Sequence, residues 1–244
     1  MNKKTQRFWE IDTLRGIAVI LMITYHILFD LDFLNILSLP LHNLFFRLFL
    51  YPIGTMFLLV VGISLVLSYK RYIQKQNQTP PFSKYLKRGG FLFFIALFIT
   101  LLTWIYPHEG FIVFGIIHCI GISIIVSYPF ISKPNISLVF GFLFVILGIY
   151  FAMITILNPY FFWIGLKTAS FYTLDYFPLL PWFGVVLIGL FLGQKIYPTL
   201  QSKYGKQQHT PTVFRPISFI GRYSLVIYLL HQPILFGILF ILFH

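Results

Sequence analysis

The residues whose types and spacing could support chemistry lie in the first apolar segment, which carries Asp12, Arg15, His26 and Asp30. At about 100° per residue, with Asp12 at zero, the other three fall at about 300°, 320° and 0°, so all four share one stripe. Ionisable groups at membrane depth are costly, and they normally face the protein interior, where they mark a functional path. The stripe is therefore the first place to look for a site.

Within this stripe, His26 and Asp30 form the candidate catalytic pair. A helix places His26 about 16 Å beyond Arg15, close to the middle of a hydrocarbon core about 30 Å thick. Asp30 follows one turn later, where its carboxylate could hold the second imidazole nitrogen and fix the tautomer. Such a pair suits a general base or an acyl-accepting nucleophile. The alternative is a structural hydrogen bond between helices.

Two further segments carry polar groups at a similar level. In the last apolar segment Tyr228 and His231 share a face, and in the fourth His118 lies between glycines that permit close helix approach. We expect His231 to take part in catalysis with His26. We expect His118 and Tyr228 to contact the substrate. Taken singly, each histidine could instead join two helices by a hydrogen bond.

Three segments carry an arginine at the end that we predict to lie on the inner side of the membrane, namely Arg15, Arg88 and Arg222. Guanidinium groups suit phosphate, so these residues are candidates for binding the phosphates of a cytosolic anion. The alternative is that they reach out to lipid headgroups. Arg15 favours the first interpretation because it shares the polar stripe.

The composition is that of a polytopic membrane protein. Of the 244 residues, 58% are hydrophobic and only 10% are charged, whereas soluble domains are about one quarter charged. We predict an all-α transmembrane helix bundle forming a single domain over 1–244. Seven apolar segments are long enough to cross a bilayer, at 13–33, 49–69, 89–106, 113–131, 136–157, 178–194 and 218–242.

The basic residues set the predicted orientation. With the N-terminus inside and the C-terminus outside, all but Arg47 and Lys167 of the 18 Lys and Arg residues lie on or near the inner side. This distribution accounts for the formal net charge of +12 without nucleic acid. The first segment is too polar for a cleaved signal peptide, so we expect it to be retained in a multi-pass protein of the cell membrane.

The remaining composition narrows the chemistry. A single cysteine, Cys119, excludes an intramolecular disulfide, and no motif with metal-ligand spacing is present, so we expect no metal. Four acids fall on or near the predicted outer side, where they favour a cationic or amine-bearing partner or simply cap helices: Asp30, Asp32, Glu109 and Asp175.

Four blocks of the chain resemble the transmembrane acyltransferases typified by heparan-alpha-glucosaminide N-acetyltransferase, in their short prokaryotic branch. The first block is Glu10–Met22, and the later ones are 114–121, 175–184 and 221–233. The resemblance implies transfer of an acetyl or similar group from a cytosolic acyl-CoA, acetyl-CoA in the first place, to an acceptor at the outer face, such as the amine of an amino sugar. It implies site roles for Arg15, Asp175 and His231 by matching position.

One departure leaves the catalytic imidazole open. The lysosomal member of this family has its key histidine in the segment after the first helix, and an asparagine precedes it within that helix. Here His26 occupies the asparagine position, and the nearest loop histidine is His42. The related acyltransferase-3 family carries its histidine within the first helix, so we favour His26 as the catalytic group and place His42 among the substrate contacts.

Two other functions compete with an acyltransferase. The histidines and Asp30 could form the relay of a proton-coupled transporter. A non-catalytic binding or assembly protein is a third possibility, and the cost of burying four ionisable groups opposes it. The resemblance implies a small-molecule acyl donor and a sugar-like acceptor as partners, and the apolar composition adds membrane lipid. Homo-oligomer formation is left open.

Overall fold

The structure is a computed structural model that describes residues 8–40, 43–204 and 210–243. It is 77% helical, and the described residues include no strand. Within these ranges eight α-helices follow one another, joined by loops and by short 3-10 helices at 128–130, 159–164 and 212–214. The α-helices are α1 Trp9–Phe33, α2 Leu44–Gln76, α3 Phe82–Ile105, α4 Ile116–Val126, α5 Pro134–Ala152, α6 Leu179–Tyr204, α7 Arg215–Arg222 and α8 Ser224–Phe243.

Six of the described helices, namely α1, α2, α3, α5, α6 and α8, are long and apolar enough to cross a membrane, which confirms a multi-pass helical protein. The predicted span 113–131 differs, because its α-helix covers only 11 residues. The predicted span 218–242 is also divided, since α7 ends at Arg222 and α8 begins at Ser224. The seventh crossing and the sides of the two termini stay predictions.

Contacts divide the chain into two compact units. The terminal unit comprises the residues up to Val60 together with those from Thr199 onward, and the central unit comprises Val61–Pro198. In the terminal unit α1 packs against α7 and α8, and in the central unit α3 packs against α4. Both unit boundaries fall within helices, α2 and α6.

Glycines set the spacing of α1 and α7 in the terminal unit. A Cβ atom added at Gly16 would collide with the backbone of Ile217, and one added at Gly221 would collide with the backbone of Asp12. The two helices therefore approach as closely as their backbones allow, which small residues permit in membrane proteins. This contact brings the end of α7 beside the first turn of α1.

In the central unit, the α4 region runs antiparallel to α3. Before α4, the Ile112 carbonyl accepts a hydrogen bond of 2.7 Å from Thr100 Oγ1, in the second half of α3. After α4, the Tyr128 hydroxyl donates to the Pro80 carbonyl at 3.3 Å, just before α3 begins. The fourth segment thus packs along α3 from Thr100 back to the start of α3. Only the middle part of this fourth segment is α-helical.

Candidate functional site

A pair of histidines forms the centre of the candidate site in the terminal unit. His26 on α1 and His231 on α8 meet edge to face, with ring centroids 4.7 Å apart. His231 is buried, and His26 is only partly covered. Tyr228 completes the group, with its ring centroid 5.5 Å from that of His231. The structure therefore brings together three residues that the sequence placed on two separate stripes.

The hydrogen bonds of this pair define both tautomers. His26 Nδ1 lies 2.9 Å from the Met22 carbonyl oxygen, and His231 Nδ1 lies 2.5 Å from the Tyr228 carbonyl oxygen. A carbonyl only accepts, so each Nδ1 carries the proton and donates it. When the imidazoles are neutral, each Nε2 holds a free lone pair. His231 Nε2 is buried and has no hydrogen-bond partner among the described residues.

Asp30 contacts α8 rather than His26, which corrects the predicted imidazole–carboxylate pair. Asp30 is 0% exposed, and its Oδ1 accepts a hydrogen bond of 2.6 Å from Gln232 Nε2. The His26 ring is directed towards the preceding turn, as helical side chains are. Its Nδ1 therefore donates a hydrogen bond to the Met22 carbonyl instead. Asp30 therefore connects the two helices that carry the histidines.

Gln232 was missed as a site residue by the reasoning from sequence. Its signal was the amide itself, a polar side chain between His231 and Pro233 inside an apolar segment. Its carbonyl Oε1 and Asp30 Oδ2 are both buried without a partner among the described residues. The site thus holds several acceptors and few donors.

At the start of α1, one carboxylate serves two arginines. Asp12 Oδ1 pairs with Arg15 Nη1 at 2.9 Å, and Asp12 Oδ2 lies 3.6 Å from Arg222 Nε. Asp12 is buried, whereas both guanidinium groups remain partly accessible. The structure therefore brings Arg15 and Arg222 together, as an anion site requires.

In the central unit, His118 uses both ring nitrogens within the protein. Its Nδ1 accepts a hydrogen bond of 3.2 Å from the Gly115 N–H, and its Nε2 lies 3.4 Å from Thr100 Oγ1. His118 is 2% exposed and caps the start of its own helix, α4. These contacts give it a structural role, and substrate contact by His118 stays a prediction.

Asp175 caps the same helix from a distant part of the chain. Its Oδ2 accepts a hydrogen bond of 3.0 Å from the Ile116 N–H, the first residue of α4. A Cβ at Gly115 would collide with this carboxylate, so a larger residue there would displace the Asp175 side chain. Burial raises the pKa of Asp175 to about 6, while the Ile116 N–H hydrogen bond lowers it. The structure brings His118 and Asp175 together at one helix start.

Two predicted site residues stand apart from these groups. Arg88 lies in the first turns of α3 in the central unit and pairs with no carboxylate of the described residues. His42 lies outside the described residues, so the choice between His26 and His42 receives no structural test. The described residues also contain no group of three or more metal-ligating side chains.

The fold and the site define a multi-pass integral membrane protein with a pair of imidazoles between two of its helices. The family model for the catalytic part of heparan-alpha-glucosaminide N-acetyltransferase matches residues 7–233. The chain therefore belongs to this family of membrane acetyltransferases, which confirms the resemblance found in its sequence. No curated protein and no solved structure matches the chain.

Proposed function

We propose that this membrane acetyltransferase moves an acetyl group from cytosolic acetyl-CoA to an amine or hydroxyl, of the amino-sugar type, at the outer face. The observation that carries the proposal is the tautomer of the histidine pair. Both Nδ1 atoms donate to carbonyls of their own helices, which leaves both Nε2 lone pairs for a substrate proton. The family match supports the same chemistry.

His26 is the proposed general base because it is the more exposed residue of the two. Its Nε2 takes the proton from the acceptor N–H or O–H as the acceptor attacks the thioester carbonyl carbon. The carbon–sulfur bond then breaks, and the CoA thiolate leaves with the proton that His26 returns. In the alternative route, Nε2 itself attacks the thioester and carries the acetyl group to the acceptor.

His231 and Asp30 support this reaction in different ways. His231 Nε2 is buried beside His26 and offers a second base within the pair. Asp30 acts through Gln232, since that hydrogen bond fixes α8 against α1 and so sets the spacing of the two rings. Tyr228 orients His231 through its carbonyl, and its ring borders the pair as a candidate acceptor contact.

Arg15 and Arg222 are the proposed contacts for the donor phosphates. Asp12 contacts both guanidinium groups at the start of α1 and so holds them side by side. His26 follows about 16 Å further along the same helix, at the depth where a thioester could reach it. This arrangement requires the start of α1 to face the cytoplasm, as the distribution of basic residues predicts.

The test is acetyl transfer by the purified protein in neutral-lipid nanodiscs, with labelled acetyl-CoA and glucosamine. His26→Ala and His26→Asn should each lower kcat by roughly 100-fold or more, because the base is lost. His108→Asn is the matched control, since its Nδ1 also bonds the carbonyl four residues earlier but at an exposed position. Full turnover in both His26 variants would remove this residue from the mechanism.

A further inference from the structure

The start of α3 in the central unit concentrates positive charge where a helix favours negative charge. Lys84, Lys87 and Arg88 all lie in its first seven residues, its first turn has no acid, and its N-cap residue, Pro81, provides no side-chain cap. A helix N-terminus carries a partial positive charge and exposes N–H groups, so cations there are repelled and an anion is attracted.

Lys84 and Arg88 face the same side and interact unfavourably. They lie one helical turn apart, and the positive charge of Arg88 acts on Lys84. Lys84 Nζ lies 4.6 Å from the centre of the Tyr72 ring, and neither cation pairs with a carboxylate of the described residues. The acids of the central unit are Glu109 and Asp175. Both come after Ile105, the last residue of α3, whereas Lys84 and Arg88 lie at its start.

Tyr85 adds a buried donor to the same place. It is 3% exposed, its ring packs 5.2 Å from that of Tyr128, and its hydroxyl lies within electrostatic reach of Arg88. That hydroxyl has no hydrogen-bond partner among the described residues. A buried hydroxyl without a partner is costly, and it calls for an acceptor that the described residues do not supply.

We propose that Lys84, Tyr85 and Arg88 form a binding site for a phosphate group at the start of α3. A phosphate bound between Lys84 and Arg88 would offset the repulsion of their two positive charges. One of its oxygens would accept a hydrogen bond from the Tyr85 hydroxyl. The phosphate could belong to a soluble phosphorylated nucleotide or to an anionic lipid headgroup, since both present the same oxygens. The proposal depends on these contacts alone and does not require acetyl transfer.

The experiment uses the full chain in nanodiscs of phosphatidylcholine and follows Tm and calorimetric binding. One arm adds adenosine 3′,5′-bisphosphate, with adenosine as the uncharged comparison. The other arm replaces part of the phosphatidylcholine with phosphatidylglycerol. Binding raises the Tm of the folded protein, so the arm that does so identifies the source of the phosphate.

Three variants test the site, with a fourth as the matched control. Lys84→Gln and Arg88→Gln should weaken phosphate binding about 10-fold each, because each loses a charge-assisted contact. Lys87→Gln removes the same charge from the same helix, but its side chain is turned about 100° from Arg88 and should change binding less than threefold.

Tyr85→Phe separates a binding site from a general basic surface. Without phosphate it should be as stable as the wild type or more stable, because an unpartnered buried hydroxyl is removed. With the effective probe it should show a smaller gain in Tm than the wild type. The proposal is overturned if neither probe raises Tm, or if Lys87→Gln weakens binding as much as Arg88→Gln does.

Discussion

Gln232 Nε2 donates a hydrogen bond of 2.6 Å to Asp30 Oδ1 and so joins α8 to α1 one residue after His231. Asp30 is fully buried, and no other described residue donates to it. The bond therefore satisfies a carboxyl that would otherwise be buried without a partner, and it fixes the helix that carries one histidine against the helix that carries the other.

Gln232→Leu should lower the free energy of unfolding by about 1–3 kcal/mol, because it leaves Asp30 buried without its donor. The double variant Asp30→Leu/Gln232→Leu removes both polar partners and should recover most of that loss. Chemical or thermal denaturation in nanodiscs measures both. If the double variant loses as much stability as the single variants Asp30→Leu and Gln232→Leu lose together, the two side chains are not coupled.

His231→Phe should retain the fold but lower kcat. Phenylalanine keeps an aromatic ring at this position, against His26, and it lacks both imidazole nitrogens. If His231 Nε2 acts as a base in the pair, we expect a loss of roughly 100-fold or more in kcat with little change in the KM for acetyl-CoA. Steady-state kinetics with labelled acetyl-CoA measures both constants, and unchanged kcat would assign His231 a packing role.

Gly221→Ala should destabilise the protein by about 1–3 kcal/mol, because its new methyl group would collide with the Asp12 carbonyl where α7 approaches α1. Gly237→Ala on α8 is the matched control, since nothing lies within 4 Å of a Cβ there. Alanine at an open helical position favours the helix by about 0.5–1 kcal/mol. Equal effects of the two substitutions on Tm would contradict the close approach.

Asp175→Asn should change how stability depends on pH. The pKa of Asp175 is raised to about 6 in the folded state from its ordinary value of 3.8, so the folded protein binds this proton more tightly than the unfolded chain does. The contribution is therefore fully present below about pH 4 and is lost as the pH rises through 6, by at most about 3 kcal/mol.

Asparagine retains an acceptor for the Ile116 N–H but cannot ionise. The Asp175→Asn variant should match the wild type near pH 4 and exceed it in Tm at pH 7. Asp175→Ala is the comparison, because it also removes the acceptor and leaves the Ile116 N–H without its partner. A wild-type pH profile in the Asn variant would exclude Asp175 as the titrating group.

Local patterns in the sequence were sufficient for the helical segments and for the stripe on α1. Apolar length and helical spacing are local properties, so the sequence predicted seven membrane-crossing segments and a common face for Asp12, Arg15, His26 and Asp30. Six of those segments are long apolar helices among the described residues, and the seventh crossing stays a prediction. The predicted bond between His26 and Asp30 was wrong because sequence spacing does not specify which acceptor a side chain chooses. The Met22 carbonyl accepts the hydrogen bond from His26 Nδ1 instead.

The contacts that complete the site join residues far apart in the chain. His26 meets His231, and Asp30 meets Gln232 across 202 positions, so neither pairing has a local signal. The short length of α4 was equally hidden, because the apolar run 113–131 continues well beyond its α-helix. The role of Asp175 as its cap depends on a loop 59 positions later.

That distant cap has a consequence for how the protein is made. A membrane helix that satisfies its own backbone can enter the bilayer as soon as it is synthesised. The first N–H of α4 instead donates to a carboxyl from a later loop. The fourth segment therefore reaches its final state only after the ribosome has passed Asp175. Nascent chains stopped before that residue should therefore leave this segment open to cleavage or labelling, whereas longer ones protect it.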